Sequence, residues 1–298
     1  MKTKTNFVVG IGEILWDLFP TGKQLGGAPS NFAFHMAQLG FESQAISAIG
    51  KDALGEEALL TLADKPMNKY FPVVAFPTGT VEVTLDKKGI PSYEIKENVA
   101  WDNIPFTEEL ANIAAQTCCI CFGSLAQRNP ISRQTIIEFI EAMPQNEETL
   151  KVFDINLRQQ FYTKEIIEQS ILRCNVLKIN DEELETITPL LSLKGITIQE
   201  KAFTLITRFK LKFLILTCGT NGSYVFSKKH TSFLETPEVK VVDTVGAGDS
   251  FTAAFCGAIL KGKAMNEAHK IAVSISAYIC TQQGAMPSLN DQLRNLIL

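Results

Sequence analysis

Short apolar runs that alternate with segments of helical spacing constrain the fold of this 298-residue chain more than any other feature. The runs have the length of buried strands; examples are Phe7–Ile11, Cys118–Gly123 and Phe213–Thr217. Because strands that alternate with helices form a mostly parallel sheet with helices on both faces, the sequence predicts an α/β fold. The length allows one large α/β domain or two smaller ones.

Helical spacing predicts most of the remaining elements. The predicted helices are Pro29–Leu39, Pro130–Ala142, Lys164–Arg173, Asp181–Thr188, Ala202–Phe209, Ser250–Leu260, Asn266–Thr281 and Leu289–Ile297. Further strands are expected at Glu13–Phe19, Lys151–Ile155 and Val176–Ile179. The alternating runs Thr80–Leu85 and Ser92–Glu97, joined by a turn that ends in Gly89, predict a hairpin inserted into the α/β pattern.

Charge and cysteine content exclude several classes of protein. A formal charge of −4 with scattered Lys and Arg residues argues against a nucleic-acid surface. We find no apolar run near the length of a membrane span and no secretory signal, so we expect a cytoplasmic protein with no membrane partner. Cys118, Cys119 and Cys121 lack zinc-site spacing and are interpreted as members of a buried strand.

The segment Asp243–Phe251, with the sequence DTVGAGDSF, stands directly before an apolar helix. Gly246 and Gly248 allow backbone N–H groups to turn toward one point, and the positive end of the helix adds to the same point. Such a turn is typical of an anion site. The carboxylate of Asp249 beside it suggests phosphoryl transfer, although an Asp at this position also serves as an ordinary helix cap.

Five segments in register resemble the ribokinase-like (PfkB-type) sugar kinases. They are Gly26–Ala33, Gly50–Gly55, Asp154–Arg158, Lys178–Glu183 and Asp243–Phe251. The resemblance covers most of the chain and implies one ribokinase-like domain over residues 1–298. It further implies a three-layer α/β/α fold with a mostly parallel central sheet and a small β lid, whose strands lie within about 13–20 and 79–98.

The resemblance also implies roles for the residues at the reacting centre. Asp249 is expected to be the base, and the N–H groups of Gly246, Ala247 and Gly248 are expected to meet the charge that develops on the phosphoryl oxygens. The residues expected to bind the sugar are Asp17, Gly26, Gly27, Asn31 and Arg158. The alternative is that these residues bind no ligand. Gly26 and Gly27 would then form a simple turn, Asp17 would be a solvated strand residue, and Arg158 would be a surface residue.

The resemblance implies ATP as the phosphoryl donor and Mg²⁺ as its metal. Expected nucleotide contacts are Lys178, Asn180, Thr217, Gly219 and Gly222, and Glu183 is expected to reach Mg²⁺ through water. The acidic run around Glu183 also fits an ordinary first helical turn, and a plain turn also explains the two glycines. Asp243 and the loop Gly284–Ser288 match positions that surround a monovalent cation, so K⁺ is a candidate activator. Val273 or Ser274 stands where many relatives carry an Asn beside adenine.

The entry region resembles fructokinase-type members, and fructose is therefore the expected acceptor. Four residues are expected to close over it: Trp16, Phe76, Val81 and Tyr93. The alternatives are a kinase of ribose or 2-keto-3-deoxygluconate, or a non-catalytic sugar- or nucleotide-binding regulator of the same fold. A dinucleotide-binding dehydrogenase is disfavoured, because Leu15 stands where the fingerprint that starts at Gly10 needs its third glycine. An exposed edge of the lid is a candidate surface for a homodimer.

Overall fold

A computed structural model describes residues 7–85 and 91–297. The strands in these residues are β1 Phe7–Ile11, β2 Leu15–Phe19, β3 Gly22–Gly26, β4 Glu42–Ile46, β5 Ile49–Gly50, β6 Asn68–Tyr70, β7 Val73–Val74, β8 Gly79–Leu85, β9 Pro91–Ile95, β10 Thr117–Phe122, β11 Leu150–Asp154, β12 Val176–Asn180, β13 Phe213–Thr217, β14 Ser223–Phe226 and β15 Thr231–Leu234. The α-helices are α1 Ala28–Gln38, α2 Ala53–Leu62, α3 Glu108–Ala115, α4 Pro130–Ala142, α5 Lys164–Arg173, α6 Asp181–Leu190, α7 Ile198–Phe209, α8 Ala247–Leu260, α9 Met265–Cys280 and α10 Asp291–Arg294.

A nine-stranded sheet forms the centre of the fold, in the order β15-β14-β13-β12-β11-β10-β1-β4-β6. Strands β13, β12, β11, β10, β1, β4 and β6 pair in parallel. Strands β14 and β15 are added antiparallel at one edge. Because the parallel strands share one direction, their carboxyl ends meet at the same edge of the sheet, which is where ligands bind in open α/β sheets.

Both faces of this sheet are buried under helices, as the alternation of strands and helices predicts. Neighbouring strand residues point to opposite faces. In β10, Ile120 packs with the apolar side chains of α3 to α7, and Cys119 packs with those of α1, α8 and α9. The cysteines of this strand are free, and Cys119 and Cys121 are buried, which confirms their interpretation as core residues.

A second sheet of four strands lies in the order β3-β2-β8-β9. The hairpin predicted around residues 80–97 is confirmed, since β8 and β9 pair antiparallel; its turn, residues 86–90, lies outside the described residues. Strand β2 pairs in parallel with β8 and antiparallel with β3. Strand β3 was not among the predicted strands, because the sequence GKQLG shows no alternation.

Several helix boundaries differ from the predictions, and three of the differences have a clear local reason. Helix α1 begins at Ala28 rather than at Pro29, because β3 extends to Gly26 and leaves only Gly27 between the two elements. Helix α8 begins at Ala247 because Gly246 takes the left-handed conformation (φ 77°) and caps it. The predicted helix Leu289–Ile297 is reduced to α10, because Asn290 caps it and Gln38 holds the N–H of Leu289.

Two glycines of the opening strand serve packing. A Cβ at Gly10 would overlap the carbonyl oxygen of Pro29, and one at Gly12 would lie 2.9 Å from the Pro29 ring. Helix α1 therefore crosses β1 in close contact, which removes the dinucleotide-binding interpretation of this segment. Within the described residues, helices with the length and apolar character needed to cross a membrane are absent.

We predict that Gly10→Ala destabilises the fold by at least about 2 kcal/mol, because its methyl group has no room beside the backbone of α1. Gly123→Ala is the matched control, since the nearest atom to its Cβ would be the Asp154 carbonyl oxygen at an ordinary 3.4 Å. Urea unfolding followed by circular dichroism measures both. Equal midpoints for the two variants would contradict the close contact.

Candidate active site

A cleft of about 1580 Å³ runs along the carboxyl edge of the central sheet and under the small sheet. Its walls include a residue at the end of, or within three residues after, each of five strands: Glu13, Leu125, Asn156, Asn180 and Thr217. The residues predicted to bind a ligand or to take part in the reaction all line this cleft, except Asp243. The parallel topology therefore collects residues from both ends of the chain at one site.

The glycine turn before α8 forms one wall of the cleft. Gly246 packs against Ala285, leaving no room for a side chain, and Ala247 is the first residue of the helix. The N–H of Ala247 donates to the carbonyl oxygen of Thr244 (3.2 Å), so the prediction that it faces a ligand is corrected. Among the described residues, the N–H groups of Gly246, Gly248 and Asp249 have no hydrogen-bond acceptor. Free N–H groups at the positive end of a helix suit an anion, so we call this group the anion-binding corner.

Asp249 is the third residue of α8, and its carboxylate is held from α1. The Nδ2 of Asn31 donates to Oδ2 of Asp249 at 2.7 Å, although the two residues are 218 positions apart. Burial raises the pKa of Asp249 to about 6, and Asp154 adds to the rise, while Asn31, Lys178 and Arg158 oppose it. Asp249 is therefore a carboxylate in a fixed position, which is ionised at neutral pH and takes up a proton at slightly acidic pH.

Lys178, the middle residue of β12, lies beside this corner. Its Nζ is 3.1 Å from Oδ1 of Asp154, and a Cβ on Gly248 would lie 3.1 Å from Nζ. Burial alone would lower the pKa of Lys178, but the carboxylates of Asp154, Glu183 and Asp249 raise it. The ammonium group therefore stays charged next to the anion-binding corner.

Glu183 and Asn180 form a capping box at the start of α6. Oδ1 of Asn180 accepts from the N–H of Glu183 (2.7 Å), and Oε2 of Glu183 accepts from the N–H of Asn180 (2.9 Å). Oε1 of Glu183 accepts from the N–H of Leu157. Burial raises the pKa of Glu183, and Lys178 opposes the rise. The carboxylate is thus fixed by two N–H groups at the wall of the cleft.

Among the described residues, His, Cys, Asp and Glu side chains do not form a group of three that could hold a metal ion. A site with few protein carboxylates is still compatible with Mg²⁺, for one reason. Mg²⁺ keeps several waters and takes few direct carboxylates beside a phosphate ligand, so a single fixed carboxylate such as Glu183 is compatible with it.

The end of the cleft beyond Lys178 is formed by the turn after β13. Gly219 (φ 53°) is open on its Cβ side, whereas a Cβ on Gly222 (φ 99°) would lie 2.5 Å from the Leu234 carbonyl oxygen. Thr236 joins this turn to the loop before α8 by bonding to the Gly219 carbonyl. Gly219 thus leaves space for a ligand, and Gly222 serves packing. Val273 lines the cleft, and Ser274 does not.

The opposite end of the cleft lies under the small sheet. Asp17 is half-buried there, and a Cβ on Gly26 would lie 2.9 Å from its Oδ2. Gly27 (φ 136°) has no room for a side chain because its Cβ would overlap the Glu13 carbonyl oxygen. Arg158 is exposed, and its charge opposes the rise that burial causes in the pKa of Asp17. We call this part, with Glu13 and Asn31, the sugar end, after the ligand that the sequence predicts for it.

The predicted cover over the sugar end is only half correct. Val81 and Tyr93 line the cleft, but Trp16 and Phe76 do not. The indole Nε1 of Trp16 donates to the Leu54 carbonyl, since alternate residues of β2 point to opposite faces of the small sheet.

Asp243 lies behind the glycine turn. Its Oδ1 accepts from the N–H of Val245 and its Oδ2 from the N–H of Gly284, both at 3.0 Å. The loop Gly284–Ser288 is also held from α1, where Nε2 of His35 is 3.0 Å from the Ala285 carbonyl oxygen. Asp243 therefore joins two loops next to the anion-binding corner.

Comparison with known proteins agrees with this geometry. The pfkB family carbohydrate kinase model matches residues 17–292, so the chain belongs to this family. It is therefore a phosphotransferase with an alcohol group as acceptor. It is 30% identical over 317 residues to probable fructokinase-5 of Arabidopsis thaliana, covering 96% of this chain and 94% of the relative. It is 28% identical to an ATP-dependent 6-phosphofructokinase of Thermoanaerobacterium thermosaccharolyticum, covering 95% and 91%.

Solved structures show the same fold. The ATP-bound fructokinase of Xylella fastidiosa matches with a TM-score of 0.83 at 18% identity and covers 98% of each chain. The fructokinase of Vibrio cholerae, solved with fructose, ADP and calcium, matches with a TM-score of 0.79 at 23% identity, covering 99% and 100%. The ribokinase-like three-layer fold expected from the sequence is thereby confirmed.

Two charged residues of the site were not assigned from the sequence. Asp154 belongs to the segment that supplied Arg158, and its pairing with Lys178 depends on the register of β11 and β12. Glu13 stands two residues after β1 and is buried at the sugar end. The sequence feature that could have identified Glu13 is a carboxylate two residues after a buried strand.

We predict that Asn31→Leu moves the acidic limb of the kcat profile to higher pH. The amide donor lowers the pKa of Asp249, so its loss raises that pKa and leaves less of the ionised base near pH 6. At saturating sugar, kcat should fall several-fold more at pH 6 than at pH 8. Asn112→Leu, an exposed position of α3, is the control. An acidic limb that coincides with that of the unmodified enzyme would refute the role of this bond.

Proposed function

We propose that this chain transfers the γ-phosphoryl group of ATP to a hydroxyl of a small neutral sugar, with fructose as the specific acceptor. The observation that carries the proposal is the hydrogen bond from Asn31 to Asp249. It joins the sugar end to the anion-binding corner, so that a hydroxyl at one side and a phosphoryl group at the other meet at one carboxylate.

The reaction proposed for this centre does not require a strong base. Phosphoryl transfer passes through a loose transition state, so a weak base that accepts the proton late is sufficient. Asp249 fills this role, since its pKa of about 6 keeps it ionised at neutral pH. The N–H groups of Gly246 and Gly248 and the ammonium group of Lys178 stabilise the charge on the phosphoryl oxygens. Ala247 contributes by starting the helix.

ATP extends from this corner toward Thr217 and Gly219 in our proposal, with Asn180 and Lys178 beside its phosphates. The relatives with bound ATP or ADP share the fold and support ATP as a ligand of this chain. Mg²⁺ would neutralise phosphate charge when bound, and Glu183 would hold one of its waters. A monovalent cation such as K⁺ would lie at Asp243, next to the carbonyl groups of the loop Gly284–Ser288.

The charges at the sugar end favour a neutral acceptor. Glu13 and Asp17 contribute carboxyl groups there, and Arg158 is the basic residue among the lining residues that the structure describes at this end. A sugar phosphate or a sugar acid would bring a further negative charge against these two carboxyl groups. This balance supports fructose over fructose 6-phosphate and over 2-keto-3-deoxygluconate. It does not separate fructose from ribose, which remains the second candidate.

The small sheet β3-β2-β8-β9 acts as the lid in this proposal. Val81 and Tyr93 lie over the sugar end, and closure of the sheet would exclude water that could hydrolyse ATP. Strands β3 and β9 are its edges, and pairing of one edge with a second copy of the chain would give a homodimer.

A panel of acceptors tests the proposal directly. We expect ATP consumption with fructose to exceed that with ribose, 2-keto-3-deoxygluconate or fructose 6-phosphate at equal concentration, in the presence of Mg²⁺. Each acceptor is assayed with and without K⁺ and with excess EDTA as the metal-free control. A protein that binds fructose and ATP but consumes no ATP would be the non-catalytic regulator. A preference for fructose 6-phosphate would overturn the choice of acceptor.

We predict that Asp249→Asn lowers kcat at least about 100-fold with little change in ATP affinity, because the variant keeps the helix and loses the base. Asp291→Asn, at the first residue of α10, is the matched control for an exposed aspartate in a first helical turn. Turnover is measured by coupled assay and ATP affinity by calorimetry. Near-normal turnover of the Asp249 variant would remove this residue as the base.

A further inference from the structure

Glu13 is a buried carboxyl group that takes no part in the chemistry at the reacting centre. It follows the end of β1 and faces the cleft at the sugar end, with 4% of its surface exposed. Its Oε2 is fully buried and has no hydrogen-bond partner among the described residues. A buried polar atom without a partner is costly, so such an atom in a native site needs an explanation.

The surroundings of Glu13 compensate its charge only in part. Burial raises its pKa to about 7, and the charge of Asp249 on α8 adds to the rise. The N–H groups of Glu13 and Ala28 and the guanidinium group of Arg158, from the loop after β11, oppose it. A glutamine of the same shape would avoid the charge, so the fold alone does not require a glutamate here.

A second unpaired acceptor lies at the same end of the cleft. Oδ1 of Asn31 is buried without a partner, while its Nδ2 is bonded to Asp249. Gly26 and Gly27 leave the space beside these groups free of side chains. Two acceptor oxygens that lack donors, on residues that line one cavity, match a ligand that carries several hydroxyl donors.

We infer that Glu13 binds the acceptor sugar, its Oε2 accepting a hydrogen bond from a hydroxyl that is not the phosphorylated one, and that its carboxyl group selects against anionic acceptors. The inference rests on the proposed function, because it assumes a sugar at this end of the cleft. Asp249 takes the reacting hydroxyl, so Glu13 acts on specificity and orientation. Binding would give the orphan oxygen its missing donor, and the cost in the free protein would be recovered in the complex.

The test compares Glu13→Gln with the unmodified enzyme, and Glu42→Gln, an exposed position at the start of β4, is the control. We expect Glu13→Gln to raise the KM for fructose by about tenfold, the size of a lost charge-assisted hydrogen bond, with the KM for ATP unchanged within about twofold. Its kcat/KM for fructose 6-phosphate, relative to that for fructose, should rise.

Deoxy analogues of fructose locate the contact. In the unmodified enzyme, the KM for the analogue that lacks the contacted hydroxyl should exceed the KM for fructose. The factor should be about the same as the factor by which Glu13→Gln raises the KM for fructose. In the variant, the KM for this analogue should be close to the KM for fructose, since the same hydrogen bond cannot be removed twice. A role in folding alone would not produce this dependence on one hydroxyl.

Stability gives a readout that does not depend on turnover. Because the pKa of Glu13 is raised in the folded state, its charged form destabilises the fold as the pH rises from the unfolded value of 4.5 through about 7. Glu13→Gln should therefore have a higher Tm than the unmodified protein at pH 8 and the same Tm near pH 4.5. A glutamate kept for structural reasons would give a lower Tm in the variant.

The outcomes separate the two proposals. If the unmodified protein phosphorylates a neutral sugar and Glu13→Gln has the same KM for every acceptor, or a lower Tm at pH 8, the inference on Glu13 is overturned and the proposed function stands. If the unmodified protein phosphorylates no neutral sugar, the proposed function fails and the inference fails with it.

Discussion

The ammonium group of Lys178 is the charge on which the site depends. The carboxylates of Asp154, Glu183 and Asp249 come from β11, α6 and α8 and face this one cation. Without it, three carboxylates in a buried region would repel one another and take up protons. With it, Asp249 keeps a pKa of about 6, and Gly248 leaves the cation next to the anion-binding corner. The ion pair thus joins β11 and β12 at the carboxyl edge and keeps a positive charge beside the glycine turn.

Helix α1 links the two ends of the site. Asn31 bonds to Asp249, and one turn later the ring of His35 bonds to the Ala285 carbonyl, which packs against Gly246. Burial lowers the pKa of His35 to about 4, so at neutral pH the ring is uncharged and its Nε2–H donates to the carbonyl oxygen. Gln38 bonds to the next part of the same loop. The helix that starts at the sugar end therefore fixes the position of the glycine turn.

The role of a residue can be predicted from the sequence where it acts through its own backbone. It cannot be predicted where its contact partners come from distant segments of the chain. The glycines of the turn before α8 were assigned from local spacing, and Gly246 caps the helix as that spacing requires. Glu13 and Asp154 were not assigned, because a carboxylate after a strand has no local mark of what it will face. Trp16 was expected over the sugar, but the register of β2 turns it toward Leu54.

The alternation of strands and helices, the glycine turn and the order of the family segments can be read from the amino-acid sequence, because each depends on the spacing of neighbouring residues. Three features exist only in the packed fold: Asn31 holds Asp249, Asp154 pairs with Lys178, and one oxygen of Glu13 is left without a donor. Those facts depend on how parallel strands register and how α1 crosses β1. Side-chain direction and burial in a packed fold follow from three-dimensional neighbours, which no local spacing specifies.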